Sequence, residues 1–297
     1  MSEDLEPSQS AGGVAYWKLE RCDGPWLVLI HGAFGSRAHW LPLLGALSSH
    51  YRLLLLDLPG HGASAPVNAC RSLDETSAHL EQVFAAAGIE GAFVLGVSFG
   101  GMVAQQFARQ RQDRVLGLLL CMCVPNFDMP VASPGTVLAL ARLQFKLSSW
   151  PRWCRHFAWQ ASVVPRVQAL ITAELLTQPR TLRDAIWEAM ICSAKAESGY
   201  AFSVPVAQIT AQRDDRFPGA LQAMRRLAER IEPNLRIEIS DAGHCAWLEQ
   251  PAAFAAAALL LLQRMRLGPS EALRQPQPTD SGAHYPATRQ LSNETNH

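Results

Sequence analysis

The chain has no excess of charge of either sign and no hydrophobic run long enough to cross a membrane. Its 297 residues include 26 basic and 26 acidic side chains, so the formal net charge at pH 7 is zero. A neutral chain gives no electrostatic reason to expect a nucleic acid as partner. The longest apolar run, residues 254–262, is far shorter than the ~20 residues that a membrane helix needs. We therefore expect neither a nucleic-acid partner nor a membrane span.

The sequence also lacks the cysteine patterns of a metal site or a disulfide framework. Its seven cysteines are scattered and odd in number, with no CxxC pair and no Cys/His cluster at zinc spacing. Residues 1–13 are polar and do not have the charged-then-apolar plan of a signal peptide. These absences indicate free thiols in a reducing cytoplasm, and no motif for a metal or an organic cofactor is present.

We predict a flexible N-terminal segment, residues 1–13, and a disordered, Pro-rich tail, residues 268–297. Between these two segments, apolar runs alternate with helical patterns. The predicted strands are 14–19, 26–30, 52–56, 93–97, 115–124, 204–209 and 235–239. The predicted helices are 73–87, 101–111, 219–231 and 251–265. Repeated strand, helix and strand predicts an α/β fold with a mostly parallel sheet, crossover helices and an antiparallel first strand.

The alternation breaks once, over residues 126–203, which have no strand signal and are rich in tryptophan. We predict a helical cap there, inserted between two parts of the core, residues 14–125 and 204–267. Ligands of open α/β sheets bind outside the carboxyl ends of the strands, where this insertion would lie. Residues 129–173 carry five basic and no acidic side chains. This stretch is either a solvated basic face or a surface that recruits an anionic, apolar substrate.

Residues 96–100 match the pattern GxSxG with Ser98 at its centre. An apolar run precedes the pattern and a helical segment follows it, as the motif requires. Such a turn holds the hydroxyl clear of the sheet, at a helix N-terminus whose amides can stabilise an oxyanion. The sequence therefore predicts Ser98 as a nucleophile.

A serine nucleophile needs a base, and the base needs an acid to orient it. Of the nine histidines, His244 directly follows a predicted strand, in a loop from which it could reach Ser98. Asp214 and Asp215 both follow the strand at 204–209, and both cannot orient one imidazole. Asp241 is a third candidate, but it is only three residues from His244.

Taken together, these motifs resemble those of the α/β-hydrolase family, in its cap-bearing esterase and C–C hydrolase branch, over about residues 14–267. The motifs are His31-Gly32, the segment 57–62, GxSxG, the Asp turn and Gly243-His244, in the family's order of Ser, Asp and His. In family members the acid usually stands three residues after a glycine. Gln212 replaces that glycine here, and the resemblance favours Asp215 as the acid.

The resemblance also implies an oxyanion hole made by the backbone N–H groups of Phe99 and Ala33, with Phe34 as the alternative to Ala33. It places Phe34 and Phe99 at the acyl pocket. The implied activity is a serine hydrolase without cofactor that cleaves a small-molecule ester, thioester or lactone through an acyl-enzyme. A C–C hydrolase or an acyltransferase would use the same triad, and a non-catalytic binding protein on this fold is a further alternative.

Overall fold

The computed structural model describes residues 7–126, 133–193, 201–217 and 219–267. The predicted disordered tail, residues 268–297, lies outside these residues, as do residues 1–6 of the predicted flexible N-terminal segment. Residues 8 and 9 of that segment form a short strand, contrary to the prediction, because they pair antiparallel with the next strand.

The described residues form an eight-stranded sheet with the order β1-β2-β4-β3-β5-β6-β7-β8. The strands are β1 (Ser8–Gln9), β2 (Ala15–Leu19), β3 (Trp26–Ile30), β4 (Arg52–Leu56), β5 (Ala92–Val97), β6 (Val115–Cys121), β7 (Val206–Ala211) and β8 (Arg236–Ile239). Strands β3 to β8 are parallel to one another. Strand β2 pairs antiparallel with β4 on one side and with β1 on the other. Strand β6 ends three residues earlier than predicted, since Met122 adopts a positive φ of 43°.

Helices cover both faces of the central strands, which are apolar along their whole length. Every residue of β3 and β5 is buried, as expected for strands of a parallel sheet that is covered on both sides. The α-helices of the core are α1 (Leu44–Leu47), α2 (Leu73–Ala87), α3 (Phe99–Gln110), α8 (Ala220–Ala228), α9 (Ala246–Glu249) and α10 (Pro251–Leu267). Short 3₁₀ helices lie at Arg37–Leu43, Gly62–Ser64, Gln112–Arg114 and Pro233–Leu235.

Helix α2 shows how local sequence sets the ends of an element. The Ser72 hydroxyl accepts a hydrogen bond from the Glu75 N–H at 3.1 Å, which caps the helix start. Gly88, with a left-handed φ of 69°, ends the helix. The helix has the bounds that the sequence predicts, residues 73–87.

The helical insertion between β6 and β7 is confirmed. It comprises α4 (Pro134–Leu147), α5 (Trp150–Ala161), α6 (Pro165–Thr177) and α7 (Arg180–Ser193). Each of the first three helices has proline in its first turn, where the missing N–H costs no hydrogen bond. His39 Nε2 of the core contacts Glu174 Oε2 of α6 at 2.8 Å, and this contact attaches the cap beside the carboxyl ends of the strands.

Candidate active site

Ser98 occupies a strained turn between β5 and α3. Its backbone has φ 51° and ψ −121°, a conformation that side-chain-bearing residues rarely adopt. Its N–H donates to the Cys121 carbonyl at 2.9 Å, which ties the turn to the neighbouring strand. A Cβ at Gly96 would lie 2.4 Å from the Gly100 carbonyl oxygen, and one at Gly100 would lie 2.4 Å from the His31 carbonyl oxygen. Both glycines of the motif are therefore required by close backbone approach.

His244 bridges Ser98 and an aspartate. Its Nε2 lies 2.9 Å from Ser98 Oγ, and its Nδ1 lies 2.8 Å from Asp214 Oδ2. The Asp214 side chain is fully buried, whereas 11% of the His244 side chain is exposed. An ionised carboxylate only accepts hydrogen bonds, so Nδ1 carries the proton and Nε2 is free to accept one from Ser98. The structure thus brings together the serine and the histidine that the sequence singles out.

The aspartate beside His244 is Asp214, and the choice of Asp215 was wrong. The Asp214 N–H donates to the Ala211 carbonyl at 3.2 Å, which closes a turn that begins one residue before Gln212. Counted from Ala211, where this turn begins, the residue three positions later is Asp214. Counted from Gln212, as the resemblance implies, it would have been Asp215. Asp215 is exposed to solvent. Gln212 has a different task, because its Oε1 accepts a hydrogen bond from the Asp241 N–H at 3.0 Å.

Glu249 holds the His244 loop against the cap, a role that no sequence pattern indicated. Its buried carboxylate accepts hydrogen bonds from the Gly243 N–H at 2.6 Å, the Ser162 hydroxyl at 2.6 Å and the Val163 N–H at 3.0 Å. Gly243 precedes His244, and Ser162 and Val163 connect α5 to α6. One side chain therefore joins the loop of the base to a turn of the cap.

Ala33 and Phe99 hold N–H groups that are free to bind an oxyanion. Neither N–H donates a hydrogen bond to any residue that the structure describes. The Phe34 N–H, the alternative donor, instead donates to His61 Nε2 at 3.2 Å and is not available. This difference favours Ala33 over Phe34.

Two buried neutral histidines fix the loop that carries Ala33. His31 Nε2 accepts from the Leu58 N–H at 2.9 Å, and its Nδ1 donates to the Gly32 carbonyl at 2.8 Å. His61 makes the matching pair of bonds, to the Phe34 N–H and, through Nδ1, to the Pro59 carbonyl at 3.0 Å. Burial lowers the pKa of His31 and of His61 to about 3 in each case, so both are neutral at pH 7.

A cavity of about 530 Å³ opens onto Ser98 and His244. Its wall is mostly apolar and combines cap and core side chains, among them Trp153, Phe157, Trp187, Met190, Met102 and Phe217. Phe99 lines the cavity, but Phe34 is not among the described residues that line it, contrary to the prediction. Phe34 instead packs edge-on against Trp153 and Phe157, with ring centroids 5.6 and 5.2 Å away. It supports the cavity wall from behind.

None of the five basic residues of this stretch of the cap is among the described residues that line the cavity. Arg142 pairs with Glu188 at 3.0 Å, and Arg166 donates to the Glu249 carbonyl at 3.3 Å. Arg152 and Arg155 are exposed and are not among the described residues of the cavity wall. These contacts do not decide between a solvated basic face and a recruiting surface, and both stay predictions for this stretch. The arginine that does line the cavity is Arg226 of α8, which the sequence did not single out.

Among the described residues that line the cavity, Ser98 carries a hydroxyl group within hydrogen-bonding distance of His244. Cys123 also lines the cavity, but burial raises the pKa of its thiol to about 12, which keeps it protonated and unreactive.

Within the described ranges, no three His, Cys, Asp or Glu side chains lie close enough to hold a metal ion. None of the described helices is long and apolar enough to span a membrane.

The chain is similar to known proteins in sequence and in fold. The sequence model of the alpha/beta hydrolase family matches residues 27–257. The 2-succinyl-6-hydroxy-2,4-cyclohexadiene-1-carboxylate synthase of Yersinia pseudotuberculosis serotype O:1b (strain IP 31758) is 30% identical over 272 residues, which cover 84% of this chain and 92% of that protein.

Solved structures with a similar fold include the two that follow. A hydrolase from Pseudomonas aeruginosa PA01 has a TM-score of 0.73 and 22% identity over 88% of this chain and 99% of its own. A thermophilic esterase from Thermogutta terrifontis, with malate bound, has a TM-score of 0.72 and 21% identity over the same shares of the two chains.

Proposed function

Because the chain belongs to the α/β-hydrolase family, we propose that it is a serine esterase that cleaves a carboxylic ester through an acyl-enzyme on Ser98. The observation that carries this proposal is the continuous chain of hydrogen bonds from Asp214 through His244 to Ser98. Thioesters and lactones present the same carbonyl to the same nucleophile and fall within the proposed substrate class.

The first half of the reaction forms the acyl-enzyme. His244 Nε2 takes the proton of the Ser98 hydroxyl while Oγ attacks the ester carbon. The carbonyl oxygen becomes an oxyanion, which the N–H groups of Ala33 and Phe99 stabilise; losing one such donor costs about 3 kcal/mol of barrier. His244 then gives its proton to the alkoxide that leaves. Asp214 stabilises the transient imidazolium and keeps the Nδ1 tautomer.

The second half repeats these steps with water as the nucleophile. His244 takes a proton from water, and the resulting hydroxide attacks the acyl carbon. The same two N–H groups stabilise the second oxyanion. Collapse of this intermediate releases the carboxylic acid and returns the proton from His244 to Ser98 Oγ.

The test combines covalent labelling with turnover. A fluorophosphonate should label the wild-type protein on Ser98, and a panel of p-nitrophenyl esters, lactones and acyl thioesters should reveal hydrolysis. Ser98→Ala should abolish labelling and reduce turnover ~10⁴-fold or more, because the triad members act as a unit. A circular dichroism spectrum and melting temperature like those of the wild type would show that the variant is folded. Retention of more than a few per cent of the wild-type rate would refute the mechanism.

A second candidate is a synthase reaction like that named for the Yersinia relative, which the 30% identity over 84% of the chain favours. Labelling and turnover separate the two candidates. A protein that reacts with the fluorophosphonate on Ser98 but hydrolyses no member of the panel would favour the second. Hydrolysis together with an acyl-Ser98 peptide, trapped by rapid acid quench and detected by mass spectrometry, would favour the esterase.

A further inference from the structure

The wall of the catalytic cavity contains a permanent positive charge and no negative one among the residues that the structure describes. The positive charge belongs to Arg226, a half-buried residue of α8. The other polar residues of the described wall are Ser98, His244 and two glutamines, Gln160 and Gln222. An anion in this cavity would thus meet a cation and no competing carboxylate.

Arg226 is a half-buried arginine of the described cavity wall, and its guanidinium makes no hydrogen bond or ion pair with the described part of the chain. Arg216, by contrast, donates to the carbonyl groups of Trp159 and Ser162 at 2.6 and 2.8 Å. Arg142 pairs with Glu188. A guanidinium that is partly removed from water beside apolar side chains is stabilised by an anionic partner. Arg226 therefore has unused capacity to bind an anion.

The position of Arg226 is fixed by the helix that carries it. Ala223, Met224 and Leu227 of α8 are buried, so the helix is anchored by its apolar face. Gln222 lies one turn before Arg226, on the same side of the helix, and also lines the cavity. The guanidinium and the amide together offer several donors to one group.

From this arrangement we infer that Arg226 binds a carboxylate of the substrate, elsewhere in the same cavity as the scissile ester at Ser98. The preferred substrate is then an apolar ester that bears one carboxylate. A single guanidinium matches a single carboxylate in charge and in its planar, two-point geometry. This inference rests on the proposed esterase function and narrows its substrate class.

The kinetic test compares two esters that differ only at the far end of the acyl chain. In mono-p-nitrophenyl adipate a carboxylate replaces the terminal methyl group of p-nitrophenyl hexanoate. Arg226→Gln should lower the ratio of kcat/KM for the adipate to that for the hexanoate about 10- to 100-fold, the range for a hydrogen bond to a charged group. Arg226→Lys should keep part of the preference.

Arg225→Gln is the matched control, because Arg225 is the adjacent residue of α8, is exposed and is not among the described residues of the cavity wall. Its substitution removes the same charge from the protein but should leave the ratio within about twofold of the wild type. A ratio that Arg226→Gln does not change, or that Arg225→Gln changes as much, would overturn the inference.

A binding measurement separates failure of this inference from failure of the esterase proposal. The Ser98→Ala protein, which needs no turnover, is titrated with 4-phenylbutyrate in a calorimeter, and the titration is repeated after adding Arg226→Gln or Arg225→Gln. We expect Arg226→Gln to weaken binding at least tenfold and Arg225→Gln to leave it unchanged. Binding that Arg226→Gln weakens, together with a wild-type protein that hydrolyses no ester of the panel, would support the role of Arg226 and contradict the esterase. Absence of binding at millimolar concentrations, or binding that Arg226→Gln leaves unchanged, would contradict the role of Arg226.

Discussion

The two walls of the cavity are built from different kinds of contact. On the core side, polar groups are fixed by hydrogen bonds and by backbone conformation. Ser98 sits in a strained turn, His244 bonds on both ring nitrogens, and the loop of Ala33 is held by His31 and His61. Such fixed donors and acceptors stabilise charge in a transition state without reorganisation.

On the cap side, the wall is held by ring packing. Trp153 stacks on Trp150 with a centroid distance of 5.1 Å and on Phe157 at 5.3 Å, and the Arg183 guanidinium lies 3.9 Å from the Phe145 ring centroid. These contacts are non-directional compared with hydrogen bonds, so they tolerate changes of shape. On the proposed function, the core wall carries out the chemistry, whereas the cap wall and α8 select the acyl group.

The largest effect is expected at Asp214, which contacts His244 of the core wall, and the adjacent Asp215 is its control. Asp214→Asn should lower kcat about 10⁴-fold, because an amide N–H facing Nδ1 favours the wrong imidazole tautomer. Asp215→Asn removes the same charge one residue later, on an exposed side chain, and should leave kcat within about threefold of the wild type. Steady-state hydrolysis of one ester from the panel by both variants measures this contrast. Effects of equal size, or a larger effect at Asp215, would mean that the turn does not select Asp214.

A smaller effect is expected where the core wall meets the cap, at Glu249. Glu249→Gln places an amide among three donors, so at least one of the Gly243, Ser162 and Val163 bonds is lost. An unsatisfied buried donor costs about 1–3 kcal/mol of stability, and a displaced His244 loop should lower kcat about tenfold. Chemical denaturation and ester turnover measure the two effects separately.

The control for Glu249 is Glu174, another carboxylate that joins core and cap. Glu174→Gln changes the contact with His39 but does not touch the His244 loop, so kcat should stay within about twofold of the wild type. If both variants lower kcat equally, the effect belongs to attachment of the cap as a whole and not to positioning of the base.

How much of this site the sequence could predict depends on how local the responsible contacts are. Short sequence patterns predict the fold class, the strand–turn–helix around Ser98 and the loop of His244. Around Ser98 the pattern is visible because close backbone approach at Gly96 and Gly100 requires glycine at both positions. The choice between Asp214 and Asp215 depends on bonds from the Gln212 and Arg213 N–H groups to the carbonyls of Ile239 and Ala242, far along the chain.

The residues of the cavity wall could not be predicted either, because they too depend on contacts between distant parts of the chain. The orientation of α5, α7 and α8 on the core determines that Trp187 and Arg226 face the cavity and that Phe34 is covered by α5. The helical pattern of one segment does not fix its orientation. Glu249 likewise acquires its partners only when the turn between α5 and α6 comes to lie beside α9.

The smallest effect is expected on the cap wall, at Trp187. Trp187→Leu keeps an apolar side chain but removes part of the surface that covers the acyl group, which costs about 1 kcal/mol, or about fivefold in KM for a long-chain ester. The value of kcat should change little, because this contact binds substrate and transition state alike. Trp159→Leu is the matched control, since Trp159 belongs to the same cap but is 48% exposed and is not among the described residues of the cavity wall. KM values for a series of p-nitrophenyl esters from acetate to decanoate measure the effect, which should grow with chain length in Trp187→Leu alone. A loss of kcat for acetate as large as that for decanoate would show instead that the cap wall, like the core wall, holds the reacting groups in place.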